Sequence, residues 1–382
     1  MNKVPPLDLT RQYETIGEAV NTAVLEVLSS GAYVGGPIVQ SFEQQFASYV
    51  GVTECVACNS GTDALYLALR ALKIGTGDEV ITTPFTFFAT TEVISAVGAT
   101  PVFVDVDVDT FNLNLNQIEA AITPRTRAIM PVHLFGQAVD MTQLMQIAQA
   151  HNLAVIEDCA QAVGAAWGEQ KVGGIGHIGC FSFYPTKNLG ACGDGGAITT
   201  NDPELAAMMR VLREHGSKTR YYHEELGINS RLDALQAAIL QIKLKYLDTW
   251  NHQRQAVAQR YQQLLSPLPS IVLPQELAGS SSVWNQYTIR VLDPANRPNG
   301  TYRDGIRSQL QTQGVISMVY YPLPLHLQPV YKGLGYQSGQ FPVAEQISHE
   351  VVSLPMFPEL TLEQQQQVAY GLKDCLAQPI VL

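Results

Sequence analysis

Short apolar runs alternate with segments of helical periodicity along the chain as far as Arg231. The apolar runs are ECVAC, DEVITT, TPVFVDV, RAIMPVHL, LAVIED, GCFSFY and GGAITT. The helical patterns between them are TDALYLALRAL from Thr62, FFATTEVISAVG ending at Gly98, and VDMTQLMQIAQAHN from Val139. Strands that alternate with helices predict βαβ units and a mainly parallel sheet. Because the runs are almost wholly apolar, we expect both faces of this sheet to be covered.

The pattern changes after Arg231. Residues 232–265 form one long helical stretch, with a predicted break near Trp250, and proline-rich segments follow it. The run NQYTIRVL predicts a strand, and a last helix begins at about Leu362. A chain of 382 residues is too long for one ordinary core. We therefore predict a large domain over residues 1–250 and a smaller α+β domain over residues 251–382.

Composition and charge exclude several classes of protein. Hydrophobic residues make up 46% of the chain and charged residues 15%, which is typical of a globular protein. The net charge, 23 − 34 = −11, argues against nucleic acid as a partner, although a local basic pocket for a phosphate stays possible. The sequence contains no run of about 20 apolar residues, so we expect no membrane-spanning helix. The beginning MNKVPPLDLTRQY lacks the apolar core of a signal peptide, so we expect a cytoplasmic protein.

The six cysteines are too sparse for a disulfide scaffold, which suits a reducing cytoplasm. Cys55 and Cys58 form a CxxC, but no second pair of cysteines or histidines follows at zinc spacing. We therefore expect no metal site.

Four strand ends carry residues that suggest a ligand, and ligands bind at the carboxyl ends of strands in open α/β sheets. The first is CNSGTDALYLAL. Gly61 allows close approach of the backbone, and the free N–H groups of a helix that begins near Thr62 attract a phosphate. An ordinary helix N-cap by Ser60 or Thr62 is the alternative interpretation.

The second strand end, VIEDCAQAVGA, carries Glu157 and Asp158. Adjacent strand residues point to opposite faces, so only one carboxylate can enter a given site. A buried carboxylate needs a partner, and a protonated ring nitrogen is a suitable one. A structural ion pair or a helix cap would also account for these residues.

The third strand end is CFSFYPTKNLGACGDGGAI, where Lys187 lies among aromatic residues and glycines. Lys187 is either a surface lysine or a reactive amine, since burial depresses the pKa of a lysine and makes its neutral form available. Ser182 lies five residues earlier, close enough to share a ligand.

The fourth strand end, TTPFTFFAT, carries Phe87 and Phe88. One of them could cover a flat ring, and the alternative is two core aromatics. Together the four strand ends describe one ligand with a phosphate, a flat protonated ring and an aldehyde that can form a Schiff base with lysine. These are the features of pyridoxal 5′-phosphate.

The motifs resemble those of a known family. Their order is NSGTDAL, TPFTFFAT, EDCAQAVGA, SFYPTKNLG…GDGGAI and INSRLDALQAA. They resemble the DegT/DnrJ/EryC1/StrS family, whose members are fold-type-I, pyridoxal-phosphate-dependent aminotransferases acting on keto sugars attached to nucleotides. The resemblance extends from LDLTRQY to LPMFPELT, which is nearly the whole chain.

The resemblance implies a role for each residue that contacts the cofactor ring. Lys187 would form the Schiff base, and Asp158 would pair with the pyridine nitrogen. Gln161 would contact the ring hydroxyl oxygen, and Phe87 would lie against the ring.

The resemblance also implies how the phosphate is held. Gly61, Thr62 and Ser182 would bind it from one subunit, and Asn229 would reach it from the neighbouring subunit. The expected assembly is therefore a homodimer with shared active sites, and two-fold dimers are also the commonest assemblies.

The implied reaction takes an amino group from a donor, for which we expect glutamate, and gives it to a keto sugar nucleotide. Lys187 would move the proton as general base and then as general acid, with ping-pong kinetics. The expected acceptor is a 3-keto or 4-keto sugar on UDP or dTDP, and the product an amino sugar for a surface polysaccharide or a secondary metabolite.

Substrate contacts are also implied by the resemblance. Gly31 and Tyr33 lie in SSGAYVGGPIVQSFE, which resembles the family's loop near the sugar nucleotide. Arg231 corresponds to an arginine that can meet the carboxylate of a 3-keto glucuronate, although a structural pair with Asp233 or Glu225 would also explain it.

The segment VYYPLPLHLQP departs from the family members that handle a glucuronate. Tyr320 replaces their histidine, which argues against a glucuronate. Tyr321, in the same segment, is a further candidate substrate contact, and His326 is a candidate substrate contact contributed by the partner subunit. His133 in PVHLFGQ is interpreted as structural.

Other functions remain open at this stage. A cyclitol aminotransferase acting on a keto-inositol fits the same residues. A pyridoxal-phosphate-dependent sugar dehydratase would carry histidine in place of Lys187. A non-catalytic regulator would need a DNA-binding element, and the sequence shows neither a helix-turn-helix extension nor a basic stripe.

Overall fold

The computed structural model describes residues 3–295 and 300–377. Twelve α-helices lie within these ranges. They are α1 (Thr10–Ser30), α2 (Gly36–Val50), α3 (Gly61–Ala71), α4 (Ala89–Ala96), α5 (Ile118–Ala121), α6 (Met141–Ala150), α7 (Pro203–Arg213), α8 (Ala234–Leu244), α9 (Leu247–Leu265), α10 (Thr301–Thr312), α11 (Pro342–Glu350) and α12 (Leu362–Ala377). No helix in the described ranges is long and apolar enough to cross a membrane.

The strands form one large sheet and several small ones. They are β1 (Glu54–Cys58), β2 (Glu79–Thr82), β3 (Thr100–Phe103), β4 (Thr126–Ile129), β5 (Ala154–Asp158), β6 (Ala166–Trp167), β7 (Gln170–Lys171), β8 (Ile178–Ser182), β9 (Gly196–Thr200), β10 (Ser217–Thr219), β11 (Tyr222–His223), β12 (Ile271–Val272), β13 (Ser280–Ser281), β14 (Tyr287–Val291) and β15 (Val351–Leu354). The large sheet has seven strands in the order β1-β9-β8-β5-β4-β2-β3.

The large sheet is parallel except for β9, which runs antiparallel to both of its neighbours, β1 and β8. The prediction of a mainly parallel α/β sheet is therefore confirmed. β9 is reversed because residues 183–195, which join it to β8, contain no helix that could carry the chain back across the sheet. This short connection begins and ends at the same edge of the sheet, and it carries Lys187.

A separate core lies in the C-terminal part of the chain. The sheet β12-β14-β15 packs there with α10, α12 and the second half of α9. Val4, near the beginning of the chain, pairs with Val315 and is fully buried in this same core. The predicted boundary at residue 250 falls inside α9, so the proposed division into domains cuts a continuous helix.

The helical stretch after Arg231 breaks between Lys245 and Tyr246, a few residues before the predicted position. Trp250 lies inside α9. The break lets the two helices bury side chains in different cores: α8 places Leu240 beside the large sheet, and α9 places Val257 in the C-terminal core.

Glu157 and His133 form a fully buried hydrogen-bonded group in the large sheet. The Glu157 carboxylate accepts N–H bonds from Gly173 at 2.8 Å, Ile175 at 3.0 Å and Gly176 at 2.6 Å. His133 Nδ1 accepts the N–H of Val139 at 3.1 Å, so Nε2 carries the proton and donates it to Glu157 at 2.9 Å. The structural interpretation of His133 therefore agrees with these contacts.

Cys159 lies close enough to Glu157 and His133 for the three side chains to offer ligand atoms to one metal ion. The Glu157 carboxylate, however, already accepts four N–H bonds, and burial raises the pKa of the Cys159 thiol. These contacts favour a structural cluster over a metal site. Cys55 and Cys58 of the CxxC are also buried, and burial raises the pKa of both thiols.

Replacing Glu157 by alanine should strongly destabilise the fold, because it leaves three backbone N–H groups and His133 without their acceptor. We expect the free energy of unfolding to fall by about 3–5 kcal/mol. The measurement is urea-induced unfolding of the cofactor-free protein. Glu119→Ala is the control, since Glu119 forms an exposed pair with His151 and should cost less than about 0.5 kcal/mol. Equal losses for the two variants would contradict this account.

Candidate active site

A cavity of about 720 Å³ opens at the carboxyl ends of the parallel strands. It is lined by residues at the ends of six neighbouring strands of the large sheet, together with three residues from the C-terminal part of the chain. The lining residues are Ser60, Gly61, Thr62, Leu65, Thr86, Phe87, Ala89, Thr90, Val132, Asp158, Ala160, Gln161, Ser182, Tyr184, Thr186, Lys187, Asp194, Gly195, Gln286, Tyr320 and Tyr321. The four strand ends that the sequence singled out therefore meet in one place.

The beginning of α3 forms one wall of the cavity. Ser60 caps the helix, and its hydroxyl accepts the N–H of Asp63 at 3.1 Å. A Cβ on Gly61 would lie only 2.6 Å from the Cβ of Ser182, so only glycine lets the helix begin this close to the end of β8. The two interpretations of this segment are therefore compatible: Ser60 is an ordinary N-cap, and the first helical turn also faces the cavity. Free N–H groups at a helix N-terminus favour a bound phosphate.

Asp158 supplies a buried carboxylate on the cavity side of β5. Its Oδ2 accepts the Thr90 hydroxyl at 2.9 Å, and its Oδ1 accepts the N–H of Ala160 at 3.1 Å. Burial raises the pKa of Asp158, whereas these two hydrogen bonds and the positive charge of Lys187 lower it. Asp158 therefore has one face held by the protein and can pair with a protonated ring nitrogen on the other.

Lys187 faces Asp158 across the cavity floor and is half-buried. Burial lowers the pKa of Lys187 to about 8, and the nearby Asp158 carboxylate opposes this shift. An amine with this pKa is partly neutral near pH 8 and can act as a nucleophile or as a base. The alternative of an ordinary surface lysine does not fit this position.

Aromatic side chains form the outer wall. Phe87 is 59% exposed and lies beside Tyr321, with ring centroids 6.3 Å apart, whereas Phe88 packs inward against Tyr331 at 5.7 Å. Of the two phenylalanines that the sequence offered, Phe87 therefore faces the cavity. Gln161 also lines it, and its amide donates to the Tyr321 hydroxyl at 3.0 Å.

Five of the candidate residues lie outside this cavity, in the arrangement of a single chain. Gly31 ends α1 in a left-handed conformation with φ 69°, and Tyr33 is exposed with its hydroxyl bonded to the Leu28 carbonyl at 3.2 Å. Asn229 is exposed. Arg231 pairs with Glu214 at 3.0 Å, which differs from both of the carboxylates named as alternatives for it.

His326 is buried and also lies away from the cavity. Its Nε2 is 3.1 Å from a Glu345 oxygen, and its ring packs against Phe341 with centroids 4.7 Å apart. Burial lowers the pKa of His326, and Glu345 opposes that shift. These contacts hold His326 within the protein, so we leave it out of the proposed substrate contacts.

Sequence reasoning missed several residues that line the cavity. Thr90 binds Asp158 from the first turns of α4, and Asp194 and Gln286 lie in the lining without having been singled out. The only signal for Thr90 was its place shortly after a strand end. Gln286 gave no local signal, because it reaches the cavity through the packing of the C-terminal part.

These residues fit pyridoxal 5′-phosphate. The lining offers a helix N-terminus and the Ser182 hydroxyl for a phosphate, the carboxyl group of Asp158 for a ring nitrogen, and the amine of Lys187 for an aldehyde. The three groups lie in one cavity large enough for a cofactor and a substrate.

Comparison with known proteins leads to the same conclusion. Residues 14–373 match the model of the DegT/DnrJ/EryC1/StrS aminotransferase family. A "pleiotropic regulatory protein" of Geobacillus stearothermophilus is 50% identical over 97% of this chain and 98% of its own. The dTDP-3-amino-3,4,6-trideoxy-alpha-D-glucose transaminase of Streptomyces venezuelae is 44% identical over 97% of this chain and 96% of its own.

The solved structures agree. The crystal structure of DesV from S. venezuelae, in complex with a ketimine intermediate, has a TM-score of 0.94 and 43% identity, and covers 99% of this chain and 100% of DesV. The chain therefore belongs to the DegT/DnrJ/EryC1/StrS family and is a pyridoxal-phosphate-dependent aminotransferase.

Proposed function

We propose that this aminotransferase moves an amino group from glutamate to a keto sugar carried on a nucleotide, in the synthesis of an amino sugar. The observation that carries the proposal is the meeting of Lys187, Asp158 and the N-terminus of α3 in one cavity. The acceptor we propose is a 3-keto or 4-keto sugar on UDP or dTDP, which agrees with the names of relatives that match nearly the full chain.

The protein's own groups divide the work. When bound, pyridoxal phosphate supplies an aldehyde carbon and a protonated ring that withdraws electrons. Asp158, whose carboxylate accepts hydrogen bonds from Thr90 and Ala160, would pair with the protonated ring nitrogen. With the cofactor bound, the Lys187 amine would take a proton from the donor carbon as general base and give it back as general acid. It would play the same two parts, in the opposite order, when the keto sugar accepts the amino group.

The residues in and around the cavity favour an acceptor sugar that has no carboxylate. Phe87, Tyr184, Tyr320 and Tyr321 offer aromatic surface to a sugar ring. Arg231, which the family resemblance places near the carboxylate of a glucuronate, is engaged with Glu214 instead. A glucuronate would bury a carboxylate without a partner in such a site, which is costly, whereas a neutral keto sugar would not.

We also propose that two subunits share each active site. Asn229 and Tyr33 are exposed and lie outside the cavity of their own chain, which suits residues that contact the neighbouring subunit's ligand. A two-fold axis would bring the partner's Asn229 to the phosphate held by α3.

A regulatory role is the second candidate, because a relative that is 50% identical carries the name of a regulatory protein. A protein that only binds DNA does not need the arrangement of Lys187 and Asp158, and the net charge of −11 opposes binding to nucleic acid. A cyclitol aminotransferase would use the same groups, so the substrate screen includes a keto-inositol.

Lys187→Ala should abolish amino transfer, because no other group replaces the amine as nucleophile and base. We expect the rate to fall by about 10⁴-fold or more and the visible absorbance of the lysine-linked cofactor to disappear. The measurements are absorbance spectra before and after addition of glutamate, followed by a screen of keto sugar nucleotides and keto-inositol. Lys332→Ala is the control, since Lys332 is exposed. Wild-type turnover in Lys187→Ala would rule out the proposed mechanism.

Thr90→Val should shift the pH dependence of cofactor binding. The valine removes a hydrogen bond that favours the charged form of Asp158, so the pKa of Asp158 rises further. Cofactor affinity requires the ionised carboxylate and is lost as pH falls through its pKa, so in the variant this loss begins at a higher pH. The measurement is equilibrium dialysis of pyridoxal phosphate against the cofactor-free protein across pH.

Thr91→Val is the matched control, because Thr91 lies next to Thr90 in α4 and its hydroxyl binds the Phe88 carbonyl. This variant should keep the wild-type pH dependence. The same shift in both variants would show that the Thr90 hydroxyl has no special effect on Asp158.

The shared site can be tested by mixing two inactive subunits. Lys187→Ala and Asn229→Ala homodimers should each have low activity when cofactor is limiting. After random exchange of subunits, roughly a quarter of the wild-type activity should return, because each mixed dimer regains one intact site. A mixture of Lys187→Ala with Asp158→Asn should not recover, since both residues act within one chain's site. Failure of the first mixture to recover, with exchange verified, would refute the shared site.

A further inference from the structure

The loop that carries Lys187 is tightly folded between β8 and β9. The N–H of Ala191 binds the Phe183 carbonyl at 2.7 Å, and the Lys243 ammonium binds the Gly190 carbonyl at 2.7 Å. A Cβ on Gly190 would lie 2.3 Å from the Pro185 carbonyl oxygen, so the turn closes on itself there. These contacts close residues 183–191 into a turn, and within it the Lys187 N–H binds the Tyr184 carbonyl at 2.9 Å.

Asn188, the residue after Lys187, fixes the middle of the loop. It is 4% exposed, and both ends of its carboxamide are engaged. Its Nδ2 donates to Asn251 Oδ1 at 2.7 Å and to the Val283 carbonyl at 2.9 Å. Its Oδ1 accepts from Asn285 Nδ2 at 2.8 Å. One side chain therefore joins the loop to α9 and to the segment before β14.

The partners of Asn188 are themselves anchored. Asn251 donates to the Val163 carbonyl at 3.1 Å, and the N–H of Asn285 binds the Phe135 carbonyl at 2.9 Å. Arg254, fully buried in α9, donates to the Trp284 and Asn285 carbonyls at 3.2 and 3.3 Å. Asn188 is therefore bound to a rigid support.

Two members of this group are direct chain neighbours of cavity residues. Asn188 follows Lys187, and Asn285 precedes Gln286, which lines the cavity from the C-terminal part. The Asn188–Asn285 hydrogen bond therefore joins the two segments that carry these cavity residues.

We propose that Asn188 is a positioning residue for Lys187: its contacts with Asn251 and Asn285 hold the Lys187 backbone where the free amine reaches the reacting carbons. The Lys187 side chain must be released from the cofactor and move during each turnover. The position of its backbone therefore determines which atoms the free amine can reach. A misplacement of about 1 Å can cost roughly 100-fold in rate. This inference rests on the role of Lys187 proposed above.

The test compares Asn188→Ala and Asn285→Ala with a control in the fully assembled enzyme. We expect kcat to fall about 10-fold to 100-fold in both variants, with KM for glutamate and for the keto sugar nucleotide changed by less than about twofold. The midpoint of the pH titration of the lysine-linked cofactor's visible band should also move, because the amine lies differently against Asp158. Asn285→Ala carries the test if Asn188→Ala does not fold.

Tyr261→Phe is the matched control, since the buried Tyr261 hydroxyl binds the Pro355 carbonyl at 3.0 Å in the C-terminal core. It removes one buried hydrogen bond of comparable strength and should leave kcat and the spectrum unchanged. The proposal is overturned if folded variants of Asn188 and Asn285 keep the wild-type kcat, or if Tyr261→Phe lowers kcat equally. A wild-type protein without a lysine-linked band would refute the proposed function instead.

Discussion

The buried carboxylate of Asp158 sets the conditions for the whole site. A carboxylate at this depth is costly unless it is hydrogen-bonded or paired with a positive charge. The protein meets only part of that requirement, with the Thr90 hydroxyl and the Ala160 N–H on one side. The remaining side faces Lys187 and the cavity. The site can therefore accept a cationic ring. Burial raises the pKa of Asp158 and also depresses the pKa of Lys187.

The two acidic residues at the end of β5 show how strand geometry separates structure from chemistry. Glu157 points to one face of the sheet, where three backbone N–H groups and His133 satisfy it completely. Asp158 points to the other face and keeps an open side. Adjacent residues of one strand thus supply a structural anchor and a functional group, and the difference lies in how many donors each one meets.

Much of this site could be predicted from the sequence because its groups lie at strand ends, where local patterns are strong. Gly61, Asp158, Ser182 and Lys187 each follow or end an apolar run, and parallel strands bring such ends together.

The features that could not be predicted from the sequence depend on contacts between distant segments. Arg231 and His326 were candidate substrate contacts, but in the structure Arg231 pairs with Glu214 and His326 with Glu345. Neither partner can be recognised from its spacing in the sequence. The break after Lys245 depends on two cores that the helical periodicity does not reveal.

The C-terminal part of the chain completes the active site. It contributes Gln286, Tyr320 and Tyr321 to the cavity wall, and the Asn188 group joins it to the loop of Lys187. Without this part, the Asn188 carboxamide would lose the Val283 carbonyl and the Asn285 amide as partners, which is unfavourable for a polar group that is buried. Correct placement of Lys187 therefore requires that both cores are folded and packed together. It follows that the second core is part of the catalytic apparatus as well as a support for the fold.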